Sequence, residues 1–251
     1  MILPADTELI QGGSEERRRF LDLIISQQDK NYLHALIQYN KALLQRNTLL
    51  KEQSRDTSLF EALEMQLAMY GEQIFQKRKL LVEKLVPLFN QFHQQICCSA
   101  ESVNLHYISQ LEETPLEEKL RNTRERDWVI GYTTSGIHKD ELEMKLDDAL
   151  IRRVGSQGQQ KTYLIALKLA QYSLLAQQGT TAPLLLLDDI FDKLDAERVA
   201  QIIRLVSDEQ FGQIFITDTN RKYLDKILET MNHDFALFEV EQGCIKPLKE
   251  A

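Results

Sequence analysis

Gly155-Ser156-Gln157-Gly158-Gln159-Gln160-Lys161-Thr162 and Leu184-Leu185-Leu186-Leu187-Asp188-Asp189 are the two stretches whose reading decides the fold. The first reads as a loop that turns into the start of a helix. Ser156 and Gln159 have capping-box spacing, with Ser156 at the cap and Gln159 at the third helical position. A long amphipathic helix, 161–177, follows. The second stretch reads as a strand. Four consecutive leucines suit a central strand of a parallel sheet, buried on both faces. That strand delivers two carboxylates at its C-terminal end, the edge where α/β sheets bind ligands. Carboxylates there are costly to desolvate unless a metal or hydrogen-bond donors meet them. A helix N-terminus and strand-end carboxylates are what a nucleotide phosphate and its magnesium require. Asp188 would hold magnesium, directly or through water, and Asp189 could polarise an attacking water. Two bland readings stand beside these. The loop could be an ordinary capped helix, and the two aspartates could cap the next turn. Capping explains Ser156 but not Gly158, which is useful only where a backbone must be approached closely.

From Gly155 onward helices and strands alternate: 161–177, 184–188, 196–206, 213–217, 221–231 and 235–240. This predicts a largely parallel sheet covered by helices. Phe215-Ile216-Thr217 reads as a second buried strand, and the last strand returns as a hairpin through Gln242-Gly243. Asp195 is a good N-cap for 196–206. Upstream, Val103, Leu105 and Tyr107 alternate, predicting a strand over 102–109. Thr114-Pro115-Leu116-Glu117 opens a helix to about Arg126. Further strands are expected at Trp128–Tyr132 and Leu142–Leu146, with the Thr133–Asp140 loop between them a turn.

The N-terminal part is helical. Residues Asp6 to Gly13 read as a loop ending in a Gly-Gly turn. A helix from Ser14 carries Arg17, Arg18 and Arg19, either a solvated face or a phosphate-backbone contact. Asp29 opens a helix to about Lys51, and another runs from Ser58 to about Cys98 with Pro87 expected to kink it. The two form an antiparallel helical hairpin. Lys77-Arg78-Lys79 reads as a solvated face, with a nucleic-acid backbone as the alternative.

The bulk numbers fit an ordinary soluble chain. Its 251 residues are 43% hydrophobic and 27% charged. A net charge of −8 confines any nucleic-acid contact to a local basic patch. Three cysteines, with Cys97 and Cys98 adjacent and Cys244 distant, offer neither a disulfide framework nor metal-ligand spacing. This points to a reducing cytoplasm. No apolar run approaches the length of a membrane span.

Five segments together resemble the RecF family, the recombination-repair branch of the ABC/SMC-like ATPases. They are Gly12-Gly13-Ser14-Glu15-Glu16-Arg17-Arg18-Arg19-Phe20-Leu21-Asp22, Gln45-Arg46-Asn47-Thr48-Leu49-Leu50-Lys51, Gly136-Ile137-His138-Lys139-Asp140 (with Ile137 where the family has proline), Ser156–Thr162, and Leu184–Asp189 followed by Leu194-Asp195. The resemblance implies an α/β fold: the C-terminal part of a P-loop NTPase-like ABC ATPase head with an inserted long antiparallel helical lobe. The implied divisions are 1–28, the end of the first ATPase lobe; 29–100, the helical hairpin; and 101–251, the head. It further implies ATP and Mg2+ as cofactors and an ATP-dependent homodimer. Ser156, Gln157, Gly158 and Gln159 would be the signature that contacts a nucleotide held by the partner. Asp188 and Asp189 would be the Walker B catalytic pair acting on the nucleotide of their own subunit. Leu194 and Asp195 would form the D-loop, and Thr217 or Asp218 would take the switch position.

The implied role is ATP-dependent binding of single-stranded or gapped double-stranded DNA, with RecR and RecO, so that recombinase loads. The family's P-loop, G-x-x-x-x-G-K-[ST], does not occur in these residues. On this reading the chain matches the C-terminal two-thirds of the family, has an exposed sheet edge, and does not hydrolyse ATP alone. The alternative is a non-hydrolysing DNA- or protein-interaction module built on the helical lobe.

Overall fold

A computed structural model describes residues 1–97, 101–178, 183–219 and 235–250. A 3-10 turn at Pro4–Thr7 and α1 (Glu8–Gln11) occupy most of the stretch expected to be loop. Then come α2 (Ser14–Gln28), α3 (Lys30–Lys51) and α4 (Thr57–Cys97). After β1 (Val103–Ile108) follow α5 (Leu116–Ile130), β2 (Glu141–Leu146), β3 (Ala149–Leu150) and α6 (Ile151–Val154). The C-terminal part holds α7 (Gln157–Gln178), β4 (Leu185–Asp188), α8 (Ala196–Val206), β5 (Ile214–Thr217), β6 (Ala236–Glu241) and β7 (Cys244–Glu250). The helix expected at 221–231 lies outside the described residues.

The α3–α4 hairpin forms for local reasons. The Asp29 carboxylate accepts from the Asn31 and Tyr32 N–H groups at 2.9 and 3.1 Å, capping α3. Asp56 does the same for Ser58 and Leu59 at the start of α4. Paired positions then step along the two helices in opposite directions. Leu50 clusters with Phe60, Arg46 binds Glu64, Tyr39 lies over Gly71, and Arg78 reaches Tyr32. The hairpin is therefore antiparallel, and α4 continues unbroken through Pro87. Its C-terminal half packs against α7, where the Phe89 and Tyr163 rings lie 4.6 Å apart. One apolar core thus runs from α2–α4 into α7 and β4.

Three expectations about strands fail. Trp128–Tyr132 is not a strand, because α5 continues to Ile130 and closes where the Gly131 N–H meets the Asp127 carbonyl at 2.7 Å. Helical spacing puts Asp127 on Arg46 and Trp128 in a cluster with Leu50 and Phe60; a strand would separate these neighbours onto opposite faces. The sheet is not largely parallel either. The described strands form three small sheets, β1-β2-β3, β4-β5 and β6-β7, and only β4-β5 is parallel.

Finally, the Leu184–Leu187 strand is buried on one face only. Leu185 and Leu187 join the core, while Leu184 is 57% exposed and Phe215 on β5 is 49% exposed. Leu186, between them on that face, is half-buried. On its other edge β4 pairs, among the described residues, with Ile2 alone, through Ile2 N to Leu186 O at 2.8 Å and Asp188 N to Ile2 O at 3.0 Å. The hairpin through Gln242-Gly243 forms as expected.

Candidate active site

Ser156 to Gln159 form the expected capping box at the start of α7. The Ser156 N–H donates to Gln159 Oε1 at 2.8 Å, and the Gln159 N–H donates to Ser156 Oγ at 3.2 Å. The box leaves Ser156 and Gln157 exposed at a helix N-terminus, where the dipole favours anions. Gly158 has a reason within the chain itself. A Cβ there would lie 3.2 Å from the Lys193 carbonyl oxygen and 3.5 Å from an Arg198 guanidinium nitrogen. The segment after Asp189 therefore approaches the first turn of α7 more closely than a side chain comfortably permits.

That segment, residues 189–195, joins β4 to α8. Asp189 and Lys193 adopt left-handed φ values of 49° and 64°, conformations that for non-glycine residues typically cost on the order of 1–3 kcal/mol each. Asp195 caps α8 by accepting from the Arg198 N–H at 2.8 Å. Asp188 ends β4 beside Thr217, whose hydroxyl donates to Asp188 Oδ1, and the Asp189 N–H donates to the Thr217 carbonyl at 3.0 Å. Parallel pairing of β4 with β5 thus sets Asp188, Asp189, Thr217 and Asp218 at one sheet end.

Lys161, one turn into α7, turns toward this end and donates to the Asp192 carbonyl at 2.8 Å. Burial pulls its ammonium below the usual lysine range, while Asp192, Asp189 and Asp218 pull it back up. The oxygen donors at the sheet end suit a hard cation such as magnesium, and Lys161 and the α7 N-terminus suit a phosphate. The two stretches that looked separate in sequence are packed together here through Lys161 and Gly158.

The arginine triplet does not form a phosphate patch. Arg17 is buried and forks onto Glu141, with Nε to Oε1 at 2.6 Å and Nη2 to Oε2 at 2.8 Å. Burial pushes the Glu141 carboxyl up, but Arg17 and Ser14 outweigh it and hold the carboxyl below its usual range. Arg18 donates to the Asp140 carbonyl at 2.9 Å. Arg19 alone is exposed. Arg78 is not on a solvated face either. It is 2% exposed and donates to Asp22 at 2.9 and 3.0 Å, to Asp140 Oδ2 at 3.0 Å and to the Ile137 carbonyl at 2.9 Å.

A second buried cluster centres on Arg46, fully buried, which holds Glu64 at 2.9 Å and Asp127 at 2.7 Å. Glu64 also receives Arg124. His138 is half-buried, with Tyr39 Oη 2.9 Å from Nδ1 and the Thr133 carbonyl 3.1 Å from Nε2. Burial pulls its imidazole down to about 4. These clusters tie the helical hairpin to α2, α5 and the 133–140 loop. The signal available in sequence was a charged residue on an apolar helix face: Arg78 lies four residues from Ile74, and Arg46 four from Ala42 and Leu50.

No protein-family model matches the chain. Over 250 residues, 100% of this chain and 68% of the relative's length, it is 72% identical to a DNA replication and repair protein RecF of Parabacteroides distasonis. The chain belongs to the RecF family of DNA replication and repair proteins. The RecF of Bacteroides fragilis is 55% identical over 251 residues, again with 68% of its length covered. Among solved structures, the recombination mediator protein RecF-ATPrS of the RecFOR pathway superposes with a TM-score of 0.80 at 28% identity, covering 99% of this chain and 67% of that one. The Smc head domain of Pyrococcus furiosus, at 19% identity and a TM-score of 0.54, shares the fold. The expected ABC/SMC-like ATPase fold therefore holds, as does the resemblance to the RecF family. Among the described residues no helix is long and apolar enough to cross a membrane.

Proposed function

We propose that this RecF-family chain supplies two different contributions to nucleotide sites shared across a dimer. Ser156, Gln157, Gly158 and Gln159 face a nucleotide held by a partner subunit. Asp188 and Asp189 serve a nucleotide in their own subunit, Asp188 as the carboxylate for magnesium and Asp189 as the group that orients and polarises water. Leu194 and Asp195 lie between the two, and Thr217 or Asp218 reads the state of the site. The observation that carries the reading is the close approach of the Lys193 carbonyl to Gly158. It sets the segment after the two aspartates directly against the first turn of the helix that Ser156 opens. Support also comes from the likeness to RecF structures with ATP and ATPrS.

ATP-dependent closure of the dimer would favour binding at single-strand/double-strand DNA junctions in the cytoplasm, in concert with RecR and RecO, ahead of recombinase loading. Arg19 is the member of the triplet free to meet a phosphate. The divisions 1–28, 29–100 and 101–251 are kept as functional lobes, although one core crosses them. The test is fluorescence anisotropy of a labelled gapped duplex with this chain mixed with full-length RecF of Parabacteroides distasonis. Mg-ATP is expected to strengthen binding, and Ser156→Arg in this chain is expected to abolish that gain. An ATP effect that survives Ser156→Arg contradicts the shared site.

A further inference from the structure

Counting cysteines in the sequence gives no metal-ligand spacing, but the fold gathers a mixed set that the count cannot see. His93 and Cys97 sit one turn apart at the C-terminal end of α4, and Glu101 follows just before β1. His93 Nε2 lies 3.5 Å from Cys97 Sγ, and Cys97 Sγ lies 3.8 Å from Glu101 Oε2. The three ligand atoms are all within 4.8 Å of one another. A tetrahedral zinc ion with bonds of about 2.0–2.3 Å spaces its ligands about 3.3–3.8 Å apart. We propose that His93, Cys97 and Glu101 form a zinc site at the junction of α4 and β1, with a fourth position open to water.

The surroundings favour this over a chance contact. The buried His93 ring packs beside the paired Phe89 and Tyr163 rings, at separations of 6.0 and 6.3 Å, which restricts the orientations open to it. Gln159 Nε2 donates to Glu101 Oε1 at 3.2 Å, and Arg198 Nη2 lies 3.8 Å from that same oxygen. Both outer partners therefore engage Oε1 and leave Oε2 turned toward the thiol, the orienting role such groups play around metal ligands. A thiolate with an imidazole selects borderline-soft ions over magnesium or calcium. Binding requires the Cys97 thiol proton to leave for solvent as the sulfur–zinc bond forms. Because Gln159 belongs to the capping box of α7, an ion here fixes the start of that helix from the side away from Lys161.

The test titrates the whole chain, stripped with chelator under reducing conditions, with Co2+ and then with Zn2+. The expected result is one equivalent of Co2+ with a thiolate-to-cobalt charge-transfer band, displaced by Zn2+. That band is expected to vanish in Cys97→Ser and to persist in Cys98→Ser and Cys244→Ser. His93→Gln and Glu101→Gln are expected to weaken binding roughly tenfold or more. Far-ultraviolet circular dichroism checks that each variant is folded, and zinc is expected to raise the melting temperature of the unaltered chain but not of Cys97→Ser. Absence of stoichiometric binding overturns the proposal, as does a band that survives Cys97→Ser or is lost in Cys98→Ser instead.

Discussion

Replacing Arg78 with leucine isolates the part played by the buried clusters. Arg78 reaches from α4 to Asp22 on α2 and to Asp140 and the Ile137 carbonyl in the 133–140 loop. Leucine keeps the apolar stem but strands two carboxylates, of which Asp140 is wholly buried. Burial already pushes the Asp140 carboxyl above the usual range against the pull of Tyr107 and Arg78. Breaking one side of a buried ion pair costs about 3–5 kcal/mol, because the remaining charge is left uncompensated. For a chain of this size that corresponds to a melting shift of roughly 6–20 °C. The assay is urea unfolding followed by circular dichroism, with thermal melts in parallel. Adding Asp22→Asn and Asp140→Asn to Arg78→Leu is expected to recover part of the loss, since it removes the stranded charges. A loss below about 1 kcal/mol for Arg78→Leu would refute the reasoning, because it is what an exposed pair contributes.

Other expectations follow from the same geometry. His138 is held down to about 4, so the folded state resists protonation while the unfolded state takes up a proton below about 6.5. Stability is therefore full above that pH and falls toward pH 4, by about 2 kcal/mol between pH 7 and 5; His138→Gln is expected to flatten this slope, and an unchanged slope refutes the assignment. Gly136 has φ 134°, and a Cβ there would lie 2.3 Å from Tyr39 Oη. Gly136→Ala is expected to destabilise by roughly 2 kcal/mol or more in urea unfolding, and a neutral result contradicts the packing of the loop on α3. Arg19→Ala is expected to lower the salt slope of DNA binding by about one unit, whereas Arg17→Ala acts on folding through Glu141. An unchanged salt slope in Arg19→Ala would remove Arg19 from the DNA contact.

Much of this architecture is legible from sequence because its signals are local. Helix spacing, the Asp29 and Asp195 caps, the Ser156–Gln159 box and the β6-β7 hairpin each depend on residues within a few positions of one another. What fails depends on distant partners. Trp128–Tyr132 is apolar enough for a strand, yet Asp127 must meet Arg46 and Trp128 must meet Phe60, which only a helix arranges. Arg17 and Arg78 look solvated until Glu141, Asp22 and Asp140 are brought to them across many residues. The run of leucines promises a strand covered on both sides, but burial belongs to neighbours, and Leu184 and Phe215 remain exposed while Leu185 and Leu187 join the core. At the candidate site the residue types were readable. The closeness of Lys161 and Gly158 to the segment after Asp189 was not, because it is a tertiary contact.

The central claim is that one chain gives its signature to a partner's nucleotide and its aspartates to its own. Analytical ultracentrifugation of this chain with full-length RecF of Parabacteroides distasonis, with and without Mg-ATP, tests it most directly. The account predicts ATP-dependent association that Ser156→Arg in this chain abolishes and Asp189→Asn in this chain leaves intact. Association that ignores ATP, or that is lost with Asp189→Asn but not with Ser156→Arg, would contradict it.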